Sequence, residues 1–215
     1  MSTTVMLMQL TKGLAVTAEI FILTLLFSLP LGLLISFGRM AKNPVIRNLS
    51  KIYISIMRGT PLMLQLIVVY FAPFYVFGLK IPNYRFPAII IAFALNYAAY
   101  FAEIYRGGIE SMAVGQYEAA KVLGYNKSQT FFRIILPQVI KRILPSITNE
   151  TITLVKDTSL AFVLAHAEMF TLAKQIAAKE TSIMPLMVAG VFYYIFNLIV
   201  ATVMEKLEKS MNYYR

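Results

Sequence analysis

The chain has 215 residues, 59% of them hydrophobic and 14% charged, against about 25% charged in an ordinary soluble domain, so its polar surface is too small to cover a water-exposed globule. Its net charge of +10 does not point to nucleic acid, because the basic residues fall in short segments between apolar runs instead of forming one stripe. With no cysteine and a single histidine, disulfides and cysteine metal sites are excluded, and no metal site is expected at His166.

Several apolar runs approach or exceed the roughly 20 residues that cross a bilayer as a helix. They predict an all-α integral membrane protein, a single transmembrane domain over 1–215 with about five spanning helices. The first covers about 11–37, with a kink expected at Pro30 and Gly32. No basic run precedes it, so it reads as a retained anchor and not a cleaved signal peptide. The second opens at Arg58-Gly59-Thr60-Pro61, with Thr60 as the N-cap and Pro61 in the first helical position, and runs to about residue 77. The third covers about 86–109. The fourth starts at Pro137 and passes Pro145 toward residue 164, and the fifth spans about 185–204. The mixed segment 165–184 is expected to hold a short helix outside the membrane.

Lysine and arginine set the expected orientation. Arg39, Lys42, Arg47, Lys51 and Arg58 share one side with Arg106, Lys121, Lys127, Arg133, Lys141 and Arg142, and with Lys206, Lys209 and Arg215 in the tail. The other side has only Lys12, Lys80, Arg85, Lys174 and Lys179. The richer side is expected to be cytoplasmic, which puts the N-terminus outside and the C-terminus inside.

Between the third and fourth spans lies a polar stretch, about 115–133, on the cytoplasmic side. Glu118, Ala119, Ala120 and Lys121 favour helix, Gly124 permits a sharp turn, and Asn126 or Ser128 can cap a second short helix. Two short helices at an angle would form a cytoplasmic knob, with Ala119 and Ala120 small enough for close approach to a partner. No G-x-x-x-x-G-K-[ST] occurs, so ATP is expected on another chain.

The spacing Glu118-Ala119-Ala120, Gly124, Ile134, Leu136-Pro137 resembles the "EAA" loop by which permease subunits of bacterial ABC importers dock on their ATPase. Met57-Arg58-Gly59-Thr60-Pro61, the run 102–109 and Lys156-Asp157-Thr158-Ser159-Leu160 extend the likeness over nearly the whole chain. The chain thus resembles permease subunits of the polar amino-acid ABC uptake family, the type I importers of histidine, glutamine and arginine. The resemblance implies a non-enzymatic translocation subunit of the bacterial cytoplasmic membrane, working by alternating access, with a coupling helix between the third and fourth spans. The implied partners are cytoplasmic ATPase subunits carrying ATP and Mg, an extracytoplasmic solute-binding protein and a second permease subunit. A homodimer is favoured and a heterodimer is the alternative.

Charges inside an apolar span are costly, and they tend to face a bundle interior or a water-filled path. Glu103, Glu150 and Asp157 lie at or within the predicted spans, and this carboxylate excess favours a cationic amino acid such as arginine, lysine or histidine. Glu150 and Asp157, two turns apart on one helix, can face one cavity, and no base is evident beside Glu150. Glu103 can instead pair with Arg106 one turn on, and Asp157 can serve helix packing. Glu19 reads as solvated near the outer end of the first span. Asn149 and Thr153 could bind the backbone groups of an amino acid, and Leu64 and Gln65 could line its aliphatic part; ordinary helix packing is the alternative for all four. A neutral substrate such as glutamine, or an ATP-independent channel or secondary transporter, are the rival readings.

Overall fold

The computed structural model describes residues 2–211, which leaves Arg215 of the charge count outside the described residues. Within them the chain is helical throughout. α1 (Thr3–Arg39) starts at Ser2, whose hydroxyl accepts from Val5 N. It begins eight residues before the expected span, and the added turns bury Met6 and Leu10 against Met169, Ala173 and Ile176. The expected kink is absent as a break, since the helix is continuous through Pro30 and Gly32. Gly32 has a different use. A Cβ there would lie 2.8 Å from Phe101 Cβ and 3.0 Å from Ala98 O, so the glycine lets α1 lie directly on α4 (Arg85–Glu110). The facing stretch of α4 carries the buried small residues Ala98 and Ala102, the composition by which helices approach closely in a membrane.

α2 (Pro44–Gly59) occupies what the sequence presents as a basic loop. Asn43 caps it, accepting from Val45 N at 2.9 Å, and Pro44 takes the first position. Its apolar and basic residues follow a clear helical period, but the segment is too polar overall to stand out as a span. Tyr53 donates to Leu95 O at 2.6 Å and Ile54 packs among Ala99 and Ala102, which fastens α2 to α4.

α3 (Leu62–Phe77) leaves α2 through a 112° bend. Pro61 is its cap residue, one position earlier than its expected place inside the helix. Thr60 ends α2 instead of starting α3, donating to Ile56 O at 2.8 Å. After α4 come α5 (Val114–Val122) and α6 (Lys127–Gln129), then a π-helical segment, Thr130–Ile135, and α7 (Leu136–Asp157). A 3₁₀ stretch, Thr158–Leu164, leads to α8 (Met169–Glu180) and α9 (Met184–Ser210). α8 answers to the short helix expected in 165–184, yet it is a packed element: Met169, Thr171, Ala173 and Ile176 are buried.

By length and apolarity, three helices among the described residues can each cross a membrane: α1, α4 and α9. The number rises to five if each bent pair, α2 with α3 and 127–164 with α8, is one span. The main core lies where α1, α3, α4 and α7 meet, around Ile20, Leu66, Phe93, Tyr97, Phe101 and Leu154.

Candidate functional site

α7 carries Glu150 and Asp157 into the heart of this packing. Asp157 ends the helix, and its Oδ2 accepts the Tyr97 hydroxyl at 2.7 Å. Tyr97 belongs to the buried stripe of α4 and is 2% exposed, so its hydroxyl is delivered to Asp157 by a fixed ring. Glu150 is half-buried, with Arg58 and Asp157 as its electrostatic neighbours. Arg58, at the α2–α3 elbow, is the cation in whose field Glu150 lies, without a direct ion pair between the two. The Arg58 side chain is exposed and holds its guanidinium 5.2 Å from the centre of the Tyr100 ring, a cation–π arrangement. Arg58, Glu150 and Asp157 thus gather between the elbow, α4 and α7, with the exposed Lys156 as a second cation beside Asp157.

The elbow itself is locked by amides. Gln65 Nε2 donates to Met57 O at 2.9 Å and to the carbonyl and hydroxyl of Thr60 at 3.1 and 2.8 Å. Asn96, on the buried face of α4, donates to Met57 O at 3.0 Å and to Gln65 Oε1 at 2.9 Å. This revises the expectation for Gln65, whose amide is committed to the bend instead of lining a substrate. Its neighbour Leu64, 55% exposed, keeps an open face.

The remaining candidates divide. Glu103 is held by Arg106, through Nε at 2.9 Å and Nη2 at 2.5 Å, with Arg39 of α1 3.9 Å away. Arg106 also binds Glu110. The alternative of an intrahelical pair is the one realised for Glu103, and the cluster ties the end of α4 to α1. Thr153 donates its hydroxyl to Asn149 O at 2.9 Å, so its proton stays within α7, and Asn149 is exposed. Lys156 is exposed and Glu19 likewise. His166 stacks on Phe86 at 5.3 Å, and no cluster of potential metal ligands occurs among the described residues.

The segment 115–133 folds as its local chemistry requires. α5 ends before Gly124, which turns the chain at φ +79°, a left-handed conformation that a side chain would strain. Asn126 then caps α6 in a reciprocal capping box with Gln129, at 2.9 and 3.0 Å. Glu118 and Ala119 are exposed, but Ala120 is 1% exposed and packs into its own chain, so only one of the two alanines is open to another surface. Val122 and Leu123, at the tip of the turn, are 87% and 73% exposed.

Four residues that the sequence did not single out complete these arrangements: Tyr97, Asn96, Glu168 and Tyr193. Tyr97 and Asn96 were detectable as polar groups on the apolar period of α4. Glu168 is fully buried and caps α8. Its carboxylate accepts from Phe170 N (2.7 Å), Thr171 N (2.6 Å), Thr171 Oγ1 (2.8 Å) and the Tyr193 hydroxyl (3.1 Å).

Comparison with known proteins places this geometry. Residues 5–213 match the family described as the binding-protein-dependent transport system inner membrane component. Over 202 residues, 93% of this chain and 91% of the relative, the chain is 36% identical to a Rickettsia conorii protein named as a glutamine transport system permease. It is 35% identical over 201 residues, 93% of this chain and 91% of the relative, to the arginine transport system permease protein of Bacillus subtilis. A solved structure described as an amino acid ABC transporter with histidines superposes with a TM-score of 0.85 at 31% identity, covering 94% of each chain.

Proposed function

We propose, from the premise that this chain belongs to the family of binding-protein-dependent transport system inner membrane components, that it forms the path by which a cationic amino acid is imported. The coarser part follows from membership: the chain is an amino-acid ABC permease, an inner-membrane translocation component and not an enzyme. The finer part rests on one observation, the grouping of Arg58, Glu150 and Asp157. An arginine or lysine substrate carries one carboxylate and two cationic groups. With Lys156 exposed, Arg58, Glu150 and Asp157 offer such a substrate one cation and two carboxylates, a complementary set in a medium where an unpaired charge is costly. A neutral amino acid would leave one site carboxylate unmatched. Arg58 would take the α-carboxylate, while Glu150 and Asp157 would take the α-ammonium and the side-chain cation.

A neutral substrate is the second reading, favoured by the likeness to the relative named for glutamine. One substitution separates the two. Glu150→Gln is expected to lower arginine uptake by about tenfold, the loss of one charge-assisted contact, while glutamine uptake changes little. Radiolabelled uptake by the reconstituted importer measures both, and equal losses would remove the cationic reading.

Transport then needs a motor and a donor. In this proposal two ATPase subunits, carrying ATP and Mg, grip the segment 115–133 from the cytoplasm, a solute-binding protein delivers substrate from outside, and a second permease chain, preferably identical, completes the path. Support for docking comes from Val122 and Leu123, apolar and uncovered at the tip of a fixed turn, the kind of exposed apolar knob that marks a contact site. ATP-driven approach of the two docking segments would rock the helices between outward and inward access. The charge asymmetry supports the N-terminus outside and the C-terminus inside.

A further inference from the structure

α5 and α7 are connected in two ways. The covalent route runs through Gly124, the three-residue α6 and the six-residue π-helical segment 130–135. At Gly124 the backbone makes a left-handed turn, and the π-helical stretch is a local departure from the regular ladder. The second route is made by side chains and takes in only the end of that segment, where Gln138 also donates to Ile134 O at 2.7 Å. Gln116 of α5 and Gln138 of α7 exchange two amide hydrogen bonds, at 2.8 and 2.7 Å. One turn further along α7, Arg142 donates to the carbonyl and hydroxyl of Ser111, at 2.7 and 2.9 Å, at the corner between α4 and α5. Beneath these bridges lies a separate apolar core, in which Met112 of the corner meets Ile135, Val139 and Ile143.

We infer that Gln116, Gln138, Ser111 and Arg142 are positioning residues that make the α4–α5 corner and α7 one rigid body, so that displacement of the docking segment reaches Glu150 without depending on the turn at Gly124 and α6. Glu150 lies twelve residues beyond Gln138, about 18 Å along the same helix. α7 continues as one helix through Pro145 to Asp157, so a tilt imposed at its base by two bridges and a packed core is carried on toward Glu150. The inference rests on the docking reading of α5 given above.

The chain has no cysteine, so thiols can be placed without background. Gln116→Cys with Gln138→Cys in the complete importer is expected to lower the amino acid imported per ATP before linking, because the amide bridge is gone, and a short bis-methanethiosulfonate linker is expected to restore it, because the two positions do not separate during the cycle. Uptake that stops on linking and returns with reductant would overturn the inference. Breaking the bridges is the converse test. Gln138→Ala with Arg142→Ala is expected to lower the amino acid imported per ATP hydrolysed by about fivefold, with the ATPase still copurifying; an unchanged ratio would overturn it. Failure of the docking reading has a separate signature, an ATPase that copurifies undiminished with a Gly124→Val permease.

Discussion

Replacing Glu168 with alanine is expected to cost the protein much of its stability, although the residue is no part of the proposed site. The carboxylate is fully buried and accepts from four donors, two of them backbone N–H groups of the first turn of α8. Those N–H groups have no intrahelical partner, and an anion at a helix N-terminus is also favoured by the helix dipole. Next to it Thr17 of α1 accepts from Met169 N at 3.2 Å, and Tyr193 reaches in from α9. Three helices therefore converge on one side chain. Truncation leaves the donors without an acceptor in a site closed to water, and a void where the side chain stood. The expected loss is about 4 kcal/mol, seen as a fall of about 10 °C in the thermal transition of the detergent-solubilised protein. Glu168→Gln keeps an acceptor oxygen but turns an amide N–H₂ toward donors, and about half that fall is expected. If alanine and glutamine behaved alike and close to the unaltered chain, the hydrogen bonds of this cap would not be what holds α8 in place.

How legible such features are depends on how local their chemistry is. The turn at Gly124 and the cap at Asn126 were readable because every partner lies within a few residues: the capping box joins Asn126 to Gln129, and the left-handed turn needs only the missing Cβ. The helical character and the long apolar segments were readable for the same reason. Errors arose where a residue's partner is distant. Gln65 looked like a lining residue because Asn96, its acceptor-seeking partner, is 31 positions away. Glu150 seemed to lack a base because Arg58, on another helix and far away in sequence, enters its field only through the fold. Gly32 suggested a kink beside Pro30, when its role is to admit Phe101 and the backbone of α4. Glu168 was passed over as part of a mixed loop. A carboxylate satisfied by its own following turn leaves no opposite charge in the sequence to find.

The second large effect is expected at Asn96. It is 4% exposed and ties the elbow to α4 through Met57 O and Gln65 Oε1. Asn96→Leu conserves volume but removes both bonds and leaves Gln65 Oε1 facing an apolar group. The stability lost is about 2 kcal/mol, a few degrees in the thermal transition. Transport is expected to suffer far more. Arg58 follows Met57 directly, so a Met57 carbonyl held by Gln65 alone, with the Gln65 amide no longer steadied by Asn96, lets the guanidinium shift relative to Glu150. Misplacing a charged group by an ångström costs about a hundredfold in rate when a substrate must meet several groups at once. The expected result is uptake reduced by that order, with the ATPase still bound to the permease. Tyr53→Phe is the control. It removes the other hydrogen bond between α2 and α4, the one to Leu95 O, and lowers stability by a comparable amount without touching the elbow. Uptake should then stay near the level of the unaltered protein. Equal losses of uptake in the two variants would mean that any loosening of α2 disables transport, and that the amide lock has no special hold on Arg58.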